Sequence, residues 1–238
     1  MLCIGTAGWA IPRGQAEHFP SAGTQLARYA GRFGAVEVNS TFYRSHRTET
    51  YAKWAASVPA EFRFALKLPR TVTHDRLLVG AEQVVAAFLD ESAGLGARRG
   101  PLLVQLPPRL AFDAATARDF FTVLRRLFPG PVACEPRHSG WFSMEADRLL
   151  REFEIARVVA DPAITSEGVE PGGWTGLVYF RLHGAPRVYW SPYDRGFLEA
   201  LARRFRAIGS AEMWCIFDNT AAGAAIENAL DLLHRIDG

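Results

Sequence analysis

Eight short apolar runs, spaced along the chain by longer amphipathic stretches, constrain this sequence more than any other feature. The short runs are LCIGT (2–6), AVEVN (35–39), FRFALK (62–67), PLLVQL (101–106), PVACE (131–135), ARVVAD (156–161), GLVYFRLH (176–183) and EMWCIFD (212–218). Their length and bounded apolar character predict strands. Helical patterns fall near 24–33, 47–56, 79–93, 114–128, 143–153, 195–208 and 222–235. In two of these the period is plain: Ala117, Phe120, Phe121, Leu124 and Phe128 form one stripe, and Ile226, Ala229, Leu230 and Leu233 another. Short strands separated by helices predict parallel pairing through right-handed crossovers. Eight such strands predict closure into a single parallel β/α barrel.

The interval DPAITSEGVEPGGWTG (161–176) breaks this pattern, with Gly and Pro but no helical stripe, so strand six is expected to reach strand seven through an irregular connection. No linker of changed composition divides the chain, so residues 1–238 are read as one domain. At 238 residues and 49% apolar content, the chain is long enough for one such barrel. Lys plus Arg number 27 against 25 Asp plus Glu, and the basic clusters at 97–100, 124–127 and 202–205 read as solvent-facing helix surface. A net charge of +2 with no basic stripe argues against DNA or RNA as the principal partner. Cys3, Cys134 and Cys215 are odd in number, far apart and set in apolar runs, which predicts buried free thiols and a reducing compartment. The opening MLCIGTAGW lacks the character of a secretory signal, and no apolar run is long enough to span a membrane. A cytoplasmic protein is expected.

In a β/α barrel, ligand groups gather where strands end and βα loops converge. Here each expected strand end supplies a polar group: Thr6 and Trp9; Glu37, Asn39 and Tyr43; Lys67, Arg70 and His74; Gln105; Glu135, Arg137 and His138; Asp161; Arg181 and His183; Asp218 and Asn219. Alternation puts Glu37 and Asn39 on one side of their strand, opposite Val36 and Val38. Lys67 ends FRFALK, where a Lys in a partly dry mouth needs a carboxylate or an anionic ligand, and could act as a base or imine-forming amine if its pKa fell. In ACEPRHSGW, Pro136 disfavours helix at Glu135, so Arg137 falls roughly on the same side. Its planar fork suits a carboxylate or phosphate, with His138 near its titration range and Trp141 a candidate pocket wall. In YFRLHG, Arg181 and His183 share a face, and Gly184 permits a sharp departure. Tyr189 and Trp190 lie in a loop where aromatics can stack on a ligand or cap the barrel. Asn219 precedes a helix start, where it can cap or help receive an anion. For each charged strand end, an internal ion pair is the alternative to a site role.

The blocks IGTAGW (4–9), VEVNSTFYR (36–44), FRFALKLPRTVTH (62–74), GPLLVQLPP (100–108), CEPRHSGWF (134–142), VYFRLHG (178–184) and IFDNTAAGAAIENALDL (216–232) run through nearly the whole chain. Together they resemble the DUF72 family, whose proteins have a TIM-barrel-like fold. The resemblance implies that fold and marks Glu37, Asn39, Lys67, His74, Gln105, Glu135, Arg137, His138, Arg181, His183 and Asn219 as the family-like polar set. Asp218 departs from it, since Asn is common there. No established reaction comes with the resemblance.

Phosphate-loop, dinucleotide-fingerprint, CxxC and nucleophile-elbow motifs are absent from the sequence. Three long basic side chains matched by carboxylates and imidazoles suit a small anionic or polar ligand. The expected activity is hydrolysis of a small phosphorylated or nucleotide-like substrate, with Glu135 as base or electrostatic partner and His183 as proton donor. Lys67 and Glu37 join them as catalytic candidates. Asn39, Tyr43, His74, Gln105, Arg137, His138, Arg181, Tyr189, Trp190 and Asn219 are the substrate-binding candidates, with Arg137 and Arg181 clamping the anion. No required cofactor is expected, although Glu37, Glu135, His183 and Asp218 could converge on a divalent metal. Three other readings stay open: a metal-assisted sugar isomerase or lyase, a non-catalytic ligand-binding or regulatory barrel, and a nucleic-acid-processing protein that stacks a base on Tyr189 and Trp190.

Overall fold

A computed structural model describes residues 1–208 and 212–237. Its strands are β1 (Leu2–Thr6), β2 (Ala35–Val38), β3 (Arg63–Lys67), β4 (Arg99–Gln105), β5 (Val132–Glu135), β6 (Ile155–Arg157), β7 (Val159–Asp161), β8 (Gly172–Gly173), β9 (Leu177–Leu182) and β10 (Glu212–Phe217). The helices are α1 (Gln25–Ala30), α2 (Ser40–Tyr43), α3 (Thr48–Ala56), α4 (Glu82–Ser92), α5 (Ala114–Leu127), α6 (Met144–Glu152), α7 (Arg195–Ile208) and α8 (Ala224–Asp237). Seven match the expected helices with ends shifted by up to three residues; α2 is additional. Side-chain caps set several of the starts, as where Asp113 accepts from Thr116 N at 2.8 Å before α5 and Ser143 from Ala146 N at 3.2 Å before α6.

The strands form two sheets, ordered β1-β10-β9-β7 and β2-β3-β4-β5-β6-β8. Among the described residues, every ladder is parallel except β6 with β8. The result is an α/β fold of barrel-like form. The run ARVVAD, expected as one strand, is divided: β6 pairs with β5, β7 pairs with β9, and Val158 between them donates to Cys134 O at 2.8 Å. The break arises because the Gly172–Gly173 segment pairs antiparallel with β6, on the side where β9 would otherwise lie. Between β7 and β8 stands a 3₁₀ turn at Ser166–Val169.

At the other junction, β1 meets β2 through the Ala7–Glu37 bridge and a Gly8 N to Glu37 O hydrogen bond of 2.8 Å. Further back, the Tyr29 hydroxyl joins the two strands, accepting from Thr6 N at 2.8 Å and donating to Ala35 O at 3.1 Å. Gly5 permits this approach, since a Cβ there would sit 2.1 Å from Ala35 O.

Alternation along the strands separates two cores. Outward residues such as Ile4, Val36, Leu66, Val104, Cys134, Phe180 and Cys215 pack with the helices in one cluster. Inward residues Cys3, Ala35, Ala65, Leu103, Ala133, Ala156, Leu177, Tyr179, Trp214 and Ile216 form a second, drawn from both sheets. Four alanines leave room there for Tyr179 and Trp214, which stack with ring centroids 6.0 Å apart. Two residues beyond this floor the inward positions turn polar: Glu37 follows Ala35, Lys67 follows Ala65, Gln105 follows Leu103, Glu135 follows Ala133, Arg181 follows Tyr179 and Asp218 follows Ile216.

Candidate functional site

That polar layer is built around Arg181, which is only 1% exposed. Its Nε lies 3.1 Å from both carboxylate oxygens of Glu37, and its Nη2 donates to Glu37 Oε1 at 2.8 Å. Nη1 donates to Glu135 Oε2 at 3.1 Å, and Nη2 lies 3.0 Å from Asp218 Oδ2. Three carboxylates, from β2, β5 and the end of β10, therefore share one guanidinium. Burial alone disfavours that charge, but Asp218, Glu37 and Glu135 outweigh it and hold its pKa well above the ordinary value. Arg181 was expected to clamp a ligand anion; its donors are instead directed at carboxylates of its own chain.

The acids are correspondingly committed. Glu37 also accepts from the Tyr179 hydroxyl at 2.8 Å. Glu135 Oε2 accepts from Gln105 Nε2 at 3.0 Å, while Oε1 faces Arg137 Nη2 at 2.7 Å and His183 Nε2 at 2.8 Å. Burial pushes the Glu135 carboxyl up, yet Arg181, Arg137 and His183 overcome it and hold its pKa well below the usual range. Asp218 is likewise raised by burial but lowered overall by Arg181 and His183.

His183 completes the layer. Its Nδ1 is 2.9 Å from Asp218 Oδ2, so a proton there donates to that acid. Nε2 faces two groups of opposite demand: Glu135 Oε1 accepts a proton from it, and Arg137 Nη2, at 2.8 Å, donates one to it. Nε2 is therefore shared between an acceptor and a donor, while Nδ1 keeps the Asp218 contact. Arg137 is the more accessible guanidinium, with a side chain 20% exposed. Among the described residues only its Nη2 is engaged, which leaves Nε and Nη1 for a ligand.

Lys67 differs from the rest of the layer. It is 7% exposed, yet among the described residues it has no acidic partner within 4.0 Å; its ammonium instead lies over the Phe42 ring, 4.1 Å from the centroid. Burial first, then Arg181, lowers its pKa to about 8 against the opposing pull of Glu37, Glu135 and Asp218. Its carbonyl is fixed by the Thr41 hydroxyl, at 2.7 Å.

Other expected site residues lie around this layer rather than in it. Asn39 Nδ2 reaches Asp218 Oδ1 at 3.4 Å, and Asn219 Nδ2 donates to Ser191 O and Asn228 Oδ1 at 3.0 and 2.9 Å. Asn219 Oδ1 is buried without a partner. His74 sits on a π-helical turn (Thr71–Asp75), edge-on to Phe42 and hydrogen-bonded to Thr73, with its pKa lowered by burial and by Lys67. His138 turns aside to cap the next turn, its Nδ1 accepting from Gly140 N at 3.0 Å. Trp141 is core rather than pocket wall, donating to Leu110 O at 3.0 Å. Tyr43 is 76% exposed and lines an outer groove of about 620 Å³ with Phe42, Arg44, Arg70 and Phe88, and Phe42 is also the ring beneath the Lys67 ammonium. Tyr189 lies edge-on to His183 at a φ of +69°, a conformation costly for a side-chain-bearing residue, while Trp190 stacks with Arg187. Tyr179 was not expected; its shared face with Arg181 and His183 is the signal that would have found it. Among the described residues, no group of three His, Cys, Asp or Glu side chains is arranged to hold a metal ion. The donor set explains this, since the oxygens that would bind a cation already face Arg181, Arg137 and His183.

Fold and site together define a barrel-like α/β protein whose strand-end layer is organised by a buried arginine–carboxylate network. The chain belongs to the family described as "Protein of unknown function DUF72", whose model matches residues 3–238. It is 32% identical over 169 residues to UPF0759 protein YecE of Escherichia coli K12, a match covering 68% of this chain and 59% of that protein. The chain thus spans about three fifths of the curated relative's length. A DUF72 family protein of Thermotoga maritima MSB8 superposes over all of both chains with a TM-score of 0.82 at 23% identity. One from Enterococcus faecalis V583 gives 0.82 at 21% identity, covering 100% of this chain and 96% of that one. At these identities the likeness concerns the fold alone.

Proposed function

We propose that the strand-end layer is the active site of an enzyme acting on a small anionic substrate, with Lys67 meeting the reacting end and His183 carrying a proton. One observation carries this reading: in a mouth where each acid faces a guanidinium or imidazole, Lys67 stands without an acidic partner within 4.0 Å among the described residues. A structural lysine buried beside three carboxylates would ordinarily be paired with one.

Hydrolysis of a phosphorylated or nucleotide-like substrate requires a base for the attacking water. Glu135 is poorly suited, because a carboxylate held well below its ordinary pKa is a weak base. Lys67, with a pKa of about 8, is better matched to neutral pH. We therefore assign the base to Lys67, the proton donor to His183, the anion contact to Arg137, and the positioning of Arg137 and His183 to Glu135, which Arg181 holds in turn. A metal-assisted isomerase or lyase would need acids released from Arg181.

The same proposal takes residues 1–238 as one domain and the two sheets as a closed eight-stranded barrel, with β6 and β7 a single interrupted strand followed by an irregular connection. The β1–β2 contacts and the continuous chain from Ile155 to Asp161 support that reading. Three buried free thiols favour a reducing compartment, hence the cytoplasm. Among the described residues, no helix is long and apolar enough to cross a membrane.

The test is a screen of small phosphorylated and carboxylated compounds for turnover and thermal stabilisation. Compounds that act on the wild type should lose turnover in both Lys67→Met and His183→Asn, while Lys53→Met changes nothing. Hits indifferent to both mouth substitutions would reject the assignment. Stabilisation without turnover would favour the binding-barrel reading, and salt-dependent binding of oligonucleotides alone would favour the nucleic-acid one.

A further inference from the structure

We propose that Lys67 is a covalent catalyst, its Nζ condensing with the carbonyl carbon of a small aldehyde or ketone that also carries a phosphate or carboxylate. This rests on the reading of the layer as an active site for a small anionic substrate, with His183 as proton donor and Arg137 as anion contact, and makes Lys67 the nucleophile in place of the base. The first argument is the choice of residue. The chain contains 25 arginines but only two lysines, Lys67 and the exposed Lys53 of α3. Arginine holds an anion with a bidentate fork and never loses its proton, so a position that needed only positive charge is better served by it. An amine differs in being able to give up its proton and attack carbon.

The second argument is the surroundings. Lys67 follows Ala65 on the inner face of β3 and is in register with Leu103 of β4, and its ammonium rests on the Phe42 ring. An amine desolvated in this way, with a guanidinium in the same layer, is the setting that makes a lysine nucleophilic. Burial and Arg181 are also the two causes that lower its pKa. The three carboxylates of the layer, which could have quenched it, point at Arg181 instead.

The chemistry closes with groups present in the layer. The neutral amine's lone pair forms the N–C bond while the carbonyl π pair moves to oxygen, which takes the proton released from nitrogen to give a carbinolamine. A second proton, supplied from His183 Nε2, converts that hydroxyl to a leaving water, and the nitrogen lone pair forms the C=N bond of an iminium. One water leaves and no electron is gained or lost overall. The free Nε and Nη1 of Arg137 are the donors for the substrate's anionic group. The iminium then accepts the electron pair of an adjacent bond, so the reaction class is cleavage or proton removal next to a carbonyl.

Hydride trapping on the 238-residue chain tests this. The wild type is incubated with pyruvate, glyoxylate or dihydroxyacetone phosphate in the presence of cyanoborohydride, and the adduct is located by peptide mass mapping. The expected result is modification of the Lys67 peptide at least tenfold faster than Lys53 or the N-terminal amine, suppressed by inorganic phosphate and absent from Lys67→Arg. If Lys67→Arg does not fold, the comparison of Lys67 with Lys53 inside the native wild type still decides. Labelling of Lys67 by all three probes at or below the rate of Lys53 overturns the proposal. In that case a melting-temperature shift with phosphate that depends on Lys67 leaves the acid–base reading standing, and no such shift removes both.

Discussion

Replacing Lys67 with Met should make the protein more stable, and by an amount that depends on pH in a defined way. The two side chains are similar in size and flexibility, so the substitution removes the ammonium with little change in packing. In the folded protein, burial and Arg181 lower the Lys67 pKa from 10.5 to about 8. The unfolded chain then binds more protons between those two values, so stability rises with pH through that window. Below pH 8 the full penalty is present; above 10.5 it is gone. At 1.36 kcal/mol per pKa unit, the variant should be more stable than wild type by about 3 kcal/mol at pH 7. The gap should fall to roughly 1.4 kcal/mol at pH 9.5 by the same linkage. For a chain of this length the neutral-pH gap corresponds to a rise in Tm of about 6–12 °C. Urea denaturation of both proteins at the two pH values measures it, with titrating groups outside the layer cancelling in the difference. A Met variant less stable than wild type at pH 7 would mean that Lys67 is held by an ion pair and would remove the basis for its role. A gap that does not shrink with pH would refute the assignment of the penalty to its charge.

Two further perturbations probe the scaffold. Glu135→Gln leaves Arg181, Arg137 and His183 facing a neutral amide and should cost about 3–5 kcal/mol at pH 7 by urea denaturation. Because the Glu135 carboxyl is lowered on folding, its contribution is present above its unfolded value of 4.5 and lost as pH falls through the folded one, so the gap to wild type should narrow in acid. An unchanged stability at pH 7 would show that the network is not held by that acid. Tyr29→Phe removes the hydroxyl shared by Thr6 N and Ala35 O and should cost about 1–3 kcal/mol. Amide exchange at Thr6 should quicken in that variant, and exchange equal to wild type would mean that the β1–β2 junction does not depend on it.

Much of the layer was legible because period two settles which strand residues share a face. Glu37, Lys67, Gln105, Glu135, Arg181 and Asp218 each sit two positions beyond a floor residue, and the alternation that places Ala35 or Ala133 inside places the polar residue inside too. What a single strand cannot disclose is the partner. Whether Arg181 faces a ligand or internal carboxylates depends on Glu37, Glu135 and Asp218, which come from three other strands. The loop residues were harder for a local reason. His138 follows Pro136 into a 3₁₀ turn and caps it, and Tyr43 ends a helix of only four residues, so extended-chain alternation stops before reaching either. The interruption of ARVVAD was hidden because its alternation is unbroken; the pairing of β6 with Gly172–Gly173, beyond a turn, divides it.

A buried network of this size is not the most stable way to fill the space, since well-packed apolar residues often serve better. Its effect is to fix two groups that would otherwise move: Asp218 sets the imidazole plane of His183, and Glu135 holds both that ring and the Arg137 guanidinium. Preorganisation of this kind lets an active site meet developing charge without rearranging. The charges of the layer also constrain what it can do. Three carboxylates face two guanidiniums, leaving one negative charge for a further proton to balance, whether that proton sits on Lys67 or on His183. When Lys67 gives up its proton to become a nucleophile, the layer is one positive charge short. His183 Nε2, 2.8 Å from Glu135 Oε1, is where that charge can be restored, and it is the same proton that expelling water from a carbinolamine requires.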